Sequence, residues 1–212
     1  MIRLVVADDH TIVREGLKQI LAAASDLLVV GEASDGHQVM ERVRALDFDL
    51  LLLDMSMPGK SGIELIKQVK AEKPKLRILI LTMHEEHQYA VRAIRAGASG
   101  YLTKESASSQ LVTALRKVAG GGAWISAEVA QQLALNAMPD AQAAPHERLS
   151  DREFQVFRMI AGGRSISDIA QDLKLSVKTV STHKANVLHK MNMTTQGELI
   201  RYALENGLVD KA

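Results

Sequence analysis

Apolar positions along residues 1–120 fall into two alternating rhythms. Short runs with little polar alternation, Leu4–Ala7, Leu28–Ala33, Leu50–Leu53, Ile78–Leu81 and Gly100–Leu102, read as strands covered on both faces. Between them, residues 12–23, 37–45, 62–72, 86–96 and 107–119 repeat their apolar side chains at the period of a helix that buries one face. Five strand-then-helix units in a row predict a parallel sheet with helices on both sides. Asp35 with Gln38 and Ser61 with Glu64 have capping-box spacing, in which each side chain satisfies a backbone N–H that the helix start leaves open.

After Gly120-Gly121-Gly122 the pattern changes. A short helix is expected around 128–136, and Met138–His146 (MPDAQAAPH) reads as an Ala- and Pro-rich linker. From Ser150 onward only helical periods remain, near 151–161, 166–173, 177–191 and 196–206, with Gly207 as a C-cap. Ser150 with Glu153 and Thr195 with Glu198 are further capping boxes, and Ser165 and Ser176 suit N-cap positions. The chain therefore divides into residues 1–122, a short helix and linker at 123–148, and 149–212. The fold class is α/β, a doubly wound five-stranded parallel sheet, followed by a small all-α domain. Two helices joined by the turn Lys174–Ser176 suggest a helix-turn-helix.

Composition narrows the chemistry. There are no cysteines among 212 residues, which excludes disulfides and thiolate chemistry and fits a reducing compartment. The N-terminus turns acidic at Asp8-Asp9, unlike a signal peptide, and no apolar run approaches the ~18 residues of a membrane span. A soluble, cytoplasmic chain with no membrane partner is expected. The net charge of +1 demands no particular partner.

The chemistry gathers at strand ends. Leu50–Leu53 run into Asp54, and Met57-Pro58-Gly59 is turn chemistry, so Asp54 stands in the crevice where open α/β sheets bind ligands. Asp8 and Asp9 follow the first strand, which neighbours the third in a doubly wound sheet. Three converging carboxylates repel one another unless a hard cation such as Mg²⁺ neutralises them. Thr82 ends the fourth strand and Lys104 follows the fifth. Carboxylates, a hydroxyl and an ammonium are the parts of a phosphoryl-transfer site, with one carboxylate as nucleophile. Taken singly, Thr82 and Asp9 could be helix N-caps and Lys104 a surface residue; their joint placement favours the site.

In the helix at 177–191, Val177, Val180, Val187, Leu188 and Met191 share a core face. The opposite face carries Lys178, Ser181, Thr182, Ala185 and His189, and the segment has no acidic residue. A solvated face normally mixes both signs, so this one suits a polyanion. Lys184 lies at the apolar edge, where it either reaches a phosphate or covers the core. From 150 onward nine Lys and Arg face seven Asp and Glu, so domain charge adds little.

Asp8-Asp9, Asp54 with Pro58-Gly59, Thr82, Tyr101 and Lys104 resemble the receiver domain of bacterial two-component response regulators. That resemblance implies a flavodoxin-like receiver in which Asp54 accepts a phosphoryl group from a sensor histidine kinase. It implies Mg²⁺ held by Asp8, Asp9, Asp54 and the backbone carbonyl of Ser56. Thr82 and Lys104 would bind phosphoryl oxygens, and Thr82 and Tyr101 would form the switch. Lys104 is followed by Glu105 where many receivers have proline, so a cis peptide bond there is less favoured than in those receivers.

Leu149–Glu153, Ile169-Ala170 and Ser176–His183 resemble the LuxR-type helix-turn-helix, and the two together resemble the NarL/FixJ family. The resemblance implies a non-enzymatic regulator of transcription that binds double-stranded DNA and forms a homodimer when phosphorylated. Lys178, Thr179, Ser181, Thr182, Lys184, Ala185 and His189 would face the DNA. Leu199, Ile200, Ala203 and Leu204 on the last helix would pair two copies, although Leu199 and Ala203 also suit plain packing in their own domain. A phosphatase using Asp54 is a competing reading, but it wants a second acid where Ser56 stands. A helical module that docks protein is the other alternative.

Overall fold

A strand without polar alternation must be covered on both faces, and β3, Leu50–Asp54, is buried at all five positions. The computed structural model describes residues 1–57, 62–83, 87–135 and 144–209. The other strands are β1 (Ile2–Ala7), β2 (Leu27–Ala33), β4 (Arg77–Thr82) and β5 (Gly100–Thr103). They form one parallel sheet in the order β2-β1-β3-β4-β5. The interleaved helices are α1 (Thr11–Ala22), α2 (Gly36–Ala45), α3 (Gly62–Glu72), α4 (His87–Arg95) and α5 (Lys104–Ala119).

Alternate strand residues serve opposite layers. Val5, Leu51, Leu53, Ile78 and Ile80 pack with Val39 and Val43 of α2 and Ile66 and Val69 of α3. Leu4, Val6, Leu50, Leu52 and Leu79 pack with Leu17 and Leu21 of α1 and Leu111 and Leu115 of α5. This doubly wound sheet is the architecture its periodicity predicts. The fifth helix starts at Lys104 rather than 107, because Thr103 caps it by accepting from the Ser106 amide. Asp35 caps α2 as expected, but Gln38 accepts from the Ser34 amide instead of the capping residue's own. Ser61 of the Ser61–Glu64 box and the Pro58-Gly59 turn lie outside the described residues.

The sheet edge is extended beyond the fifth unit. Trp124 runs beside β5, donating to the Ser99 carbonyl at 3.2 Å and accepting from the Tyr101 amide at 2.7 Å. Gly100 permits this approach, since a Cβ there would lie 3.0 Å from both the Cβ and the carbonyl oxygen of Trp124. Helix α6 (Ala127–Leu135) follows, and its Val129 packs against Ala90 and Val91 of α4 beside Tyr101 and Ile125.

The chain forms two compact units, Met1–Leu133 and Ala134–Ala212. After a short 3₁₀ turn at Pro145–Arg148, the second unit holds α7 (Asp151–Ala161), α8 (Ile166–Asp172), α9 (Val177–Lys190) and α10 (Gln196–Glu205). Val156, Ile160, Ile169, Ala170 and Val180 form a core between α7, α8 and α9. Phe154 and Phe157 are fully buried, and the rings of His146 and Tyr202 lie beside them. The α8–α9 turn places Lys174 at φ 53°, a left-handed conformation reached without glycine. Val177 departs from its expected core position. It is 52 % exposed because it is the first residue of α9, beyond the reach of α7 and α8. Leu199 and Ala203 are wholly buried in their own unit, while Leu204 stays exposed.

Ser150 and Glu153 form a reciprocal capping box, and Glu153 also pairs with Lys190 at 2.7 Å. Burial would raise the Glu153 carboxyl, yet its bonds from Lys190 and Ser150 hold it below the usual value of 4.5. Its stabilising effect is therefore present above that value and lost as pH falls through the depressed one. Ser150→Ala is expected to cost about 1 kcal/mol in denaturant unfolding. Glu153→Gln should flatten the acid limb of the unfolding profile; an unchanged acid limb would remove this pair from the account.

Candidate functional site

The sheet register builds the site one residue at a time. Ala7 pairs with Leu53, so Asp8 and Asp54 leave β1 and β3 side by side. Asp54 pairs with Leu81, which brings Thr82 to the same edge, and Thr82 pairs with Thr103, which brings Lys104 there. The register thus gathers Asp8, Asp54, Thr82 and Lys104, the residues singled out in the sequence.

Asp8 and Asp54 are 1 % and 2 % exposed. Lys104 Nζ lies 2.6 Å from Asp8 Oδ2 and 3.1 Å from Asp54 Oδ2. The Ser56 amide donates to Asp54 Oδ1 at 3.2 Å. The loop after β1 is tied down twice: the His10 amide donates to Asp8 Oδ1 at 2.8 Å, and Arg14 Nη1 donates to the Asp8 carbonyl at 2.7 Å. Asp9 is partly exposed at the mouth.

One ammonium does not balance three carboxylates. Burial pushes the Asp54 carboxyl above its usual value, with Lys104 opposing the rise and Asp8 adding to it. For Lys104, burial alone would lower the ammonium, but the bond to Asp8 and the charge of Asp54 raise it, so it stays charged. Burial raises the Tyr101 phenol, and its hydrogen bond with Thr82 opposes that, so the ring is neutral and linked to the site. Asp8, Asp9, His10 and Asp54 each offer one donor atom, all within 4.8 Å of one another. Asp9 Oδ1 is buried without a hydrogen-bond partner. Such a donor set can hold a divalent cation, and its oxygen-rich character fits Mg²⁺.

Lys178, Thr179, Ser181, Thr182, Ala185 and His189 are exposed on α9, and Lys184 is half-buried. Three of the seven are already engaged within the domain. The Thr179 and Ser176 hydroxyls are 2.8 Å apart, the Thr182 hydroxyl donates to the Lys178 carbonyl, and Lys184 Nζ donates to Gln196 Oε1 at 2.7 Å. Sequence reasoning passed over His10, Arg14 and Trp124. His10 had a signal, adjacency to the acidic pair; Trp124 had none, because its role depends on β5 lying beside it.

Burial disfavours the charged form of Asp54 and raises its carboxyl above the usual value, so the stability it contributes is present in acid and lost as pH rises through that raised value. Without divalent cations, Asp54→Asn is expected to raise the melting temperature at pH 7 relative to wild type. Adding Mg²⁺ should raise the wild-type melting point and leave the variant nearly unmoved. Equal Mg²⁺ responses in both proteins would place the cation elsewhere.

Comparisons with known proteins show the family. Residues 4–116 match the response regulator receiver domain, and residues 147–203 match the luxR family of bacterial regulatory proteins. The chain is 37 % identical to the response regulator GacA of Pseudomonas aeruginosa, covering all of both chains. It is 37 % identical to the response regulator UvrY of Escherichia coli O6:H1, covering 98 % of this chain and 96 % of that one. Among solved structures, it resembles RcsB from Salmonella enterica serovar Typhimurium bound to the promoter P1flhDC in the presence of the phosphomimetic BeF₃⁻. There the TM-score is 0.66 at 30 % identity, over 96 % of this chain and 98 % of that one. A receiver domain and a luxR-family unit in one chain, matched over its full length by a response regulator, mean that the chain belongs to the response regulators that join these two modules.

Proposed function

We propose that Asp54 accepts a phosphoryl group from a sensor histidine kinase and that its phosphorylation controls sequence-specific binding of double-stranded DNA and transcription. The observation that carries this reading is the Asp54 carboxylate, 2 % exposed, with Asp8 beside it and Lys104 Nζ at 3.1 Å. An Asp54 oxygen forms the new bond to phosphorus as the P–N bond of the kinase phosphohistidine breaks. The imidazole leaves with the electron pair and takes up a proton, and the product on Asp54 is an acyl phosphate. Lys104 and the Thr82 hydroxyl stabilise the oxygens of the transferred group. Asp8, Asp9, Asp54 and the Ser56 carbonyl would hold Mg²⁺, which when bound supplies charge neutralisation for the carboxylates and the phosphoryl group. Residues 1–122 serve as receiver, 123–148 as the joint and 149–212 as the output domain.

For the output, the acid-free, exposed face of α9 enters the major groove. The similar RcsB, whose structure is bound to a promoter, lends support to this reading. Lys178, Ser181, Ala185 and His189 are exposed, and their side chains make no hydrogen bond or ion pair among the described residues, so they are the first candidates for contact, with Thr179, Thr182 and Lys184 second. Asp54→Asn should abolish labelling by acetyl phosphate, and labelling should require Mg²⁺. Lys178→Ala should weaken binding to all duplex sequences and reduce the salt slope by roughly one unit. Gel-shift titrations in which neither the affinity nor the slope moves would favour the protein-docking alternative.

The coupling between site and output runs through Tyr101. A phosphoryl group adds nearly two negative charges near Thr82. Tyr101 is bonded to Thr82 through its side chain and to Trp124 through its amide, and it packs beside Val129 of α6. Movement of Thr82 toward the phosphoryl group therefore disturbs the start of the joint and favours a homodimer that reads paired half-sites. Trp124 is the sole tryptophan, so its fluorescence reports on this joint. Beryllofluoride with Mg²⁺ should shift its emission in the full chain, and Thr82→Ala should remove most of the shift while beryllofluoride still binds. An emission unchanged by bound beryllofluoride in wild type would sever this route.

A further inference from the structure

Beside the acidic cluster lies a side chain of different chemistry. His10 ends the loop after β1 as the N-cap residue of α1, yet its side chain makes no capping bond. Its Nδ1 instead lies 2.9 Å from Asp9 Oδ1 and 3.3 Å from Asp8 Oδ1. Asp9 Oδ1 is buried, and despite that approach it has no aligned hydrogen bond. This 2.9 Å separation, without an aligned hydrogen bond, also matches the spacing of neighbouring ligands on one cation. With bonds of about 2.0–2.1 Å, adjacent octahedral ligands are about 3 Å apart. The loop is fixed independently, because the His10 amide is held by Asp8 Oδ1 and the Asp8 carbonyl by Arg14. The imidazole therefore meets the cluster without any rearrangement of the backbone.

We propose that His10 Nδ1 is a direct ligand of the cation held by Asp8, Asp9 and Asp54, biasing that site from Mg²⁺ toward borderline first-row cations such as Mn²⁺ and Co²⁺. The proposal rests on the reading of the cluster as a cation site and goes beyond it. An all-oxygen set with waters suits Mg²⁺, which dehydrates reluctantly. One imidazole nitrogen adds little for Mg²⁺ and more for ions further along the Irving–Williams order. The opposing possibility is that His10 is an imidazolium counter-ion to Asp8 and Asp9. The two differ in sign: a ligand lost weakens cation binding, whereas a competing positive charge lost strengthens it.

The test uses the full chain with Mn²⁺, Co²⁺ and Mg²⁺ as probes. Electron spin-echo spectroscopy of bound Mn²⁺ should show coupling to a ¹⁴N nucleus in wild type and none in His10→Gln or His10→Asn. By titration calorimetry, His10→Gln should lose on the order of tenfold in Co²⁺ affinity, since removing even an outer partner of a metal ligand costs that much, and keep its Mg²⁺ affinity. Asp9→Ala serves as the control for the site. If Mn²⁺ binding is the same in Asp9→Ala as in wild type, the cation-site reading itself fails. If Asp9→Ala abolishes binding but wild type shows no ¹⁴N coupling, or His10→Gln binds the ions more tightly, the cation site stands and the ligand role of His10 is overturned.

Discussion

Two buried carboxylates beside one buried ammonium are the constraint on which the first unit turns. Asp8 and Asp54 leave water because β1 and β3 are central strands whose ends lie under flanking elements. Lys104 Nζ sits 2.6 Å from Asp8 and 3.1 Å from Asp54, a cation placed between the two carboxyls. A pair of this kind gains Coulomb energy in proportion to what it loses in hydration, so it adds little net stability. What it provides is a site with unbalanced negative charge, aligned donors and restricted solvent. That is the condition in which a cation and a phosphoryl group bind with effect.

The same edge explains why the neighbouring elements are arranged as they are. Thr82, fully buried, joins the carboxylate site to Tyr101. Tyr101 in turn contributes its amide to Trp124 and its ring to the cluster around Val129. Thr82, at the edge that holds Asp54, is thus linked through Tyr101 to Trp124 and Val129 of the same unit.

The second unit depends on a different economy of interactions. Its helices are short, and isolated helices of such length are marginal in water. Capping at Ser150, Ser165, Ser176 and Thr195 satisfies the exposed N–H groups at four helix starts. The apolar core then needs only a few large side chains, Phe154 and Phe157 foremost. With the fold carried by caps and core, the side chains of Lys178, Ser181, Ala185 and His189 on α9 stay exposed and make no hydrogen bond or ion pair among the described residues.

Much of this was legible in the chain itself, because periodicity and capping are local. The four-leucine run before Asp54, the alternation of strands and helices, the serine caps and the absence of acid in α9 follow from neighbours within a few residues. The positions of Asp8, Asp9, Asp54, Thr82 and Lys104 at strand ends were equally visible. What only the tertiary structure decided is how distant stretches meet. The register of β1 on β3 and β4 on β5 determines that Lys104 touches both Asp8 and Asp54. The seating of Trp124 on β5 and of Val129 on α4 joins residues more than twenty positions apart, for which no local pattern exists. Val177 and Leu199 show the converse. Both suit an apolar face by periodicity, but only the ends of the helices around them leave the first exposed and bury the second.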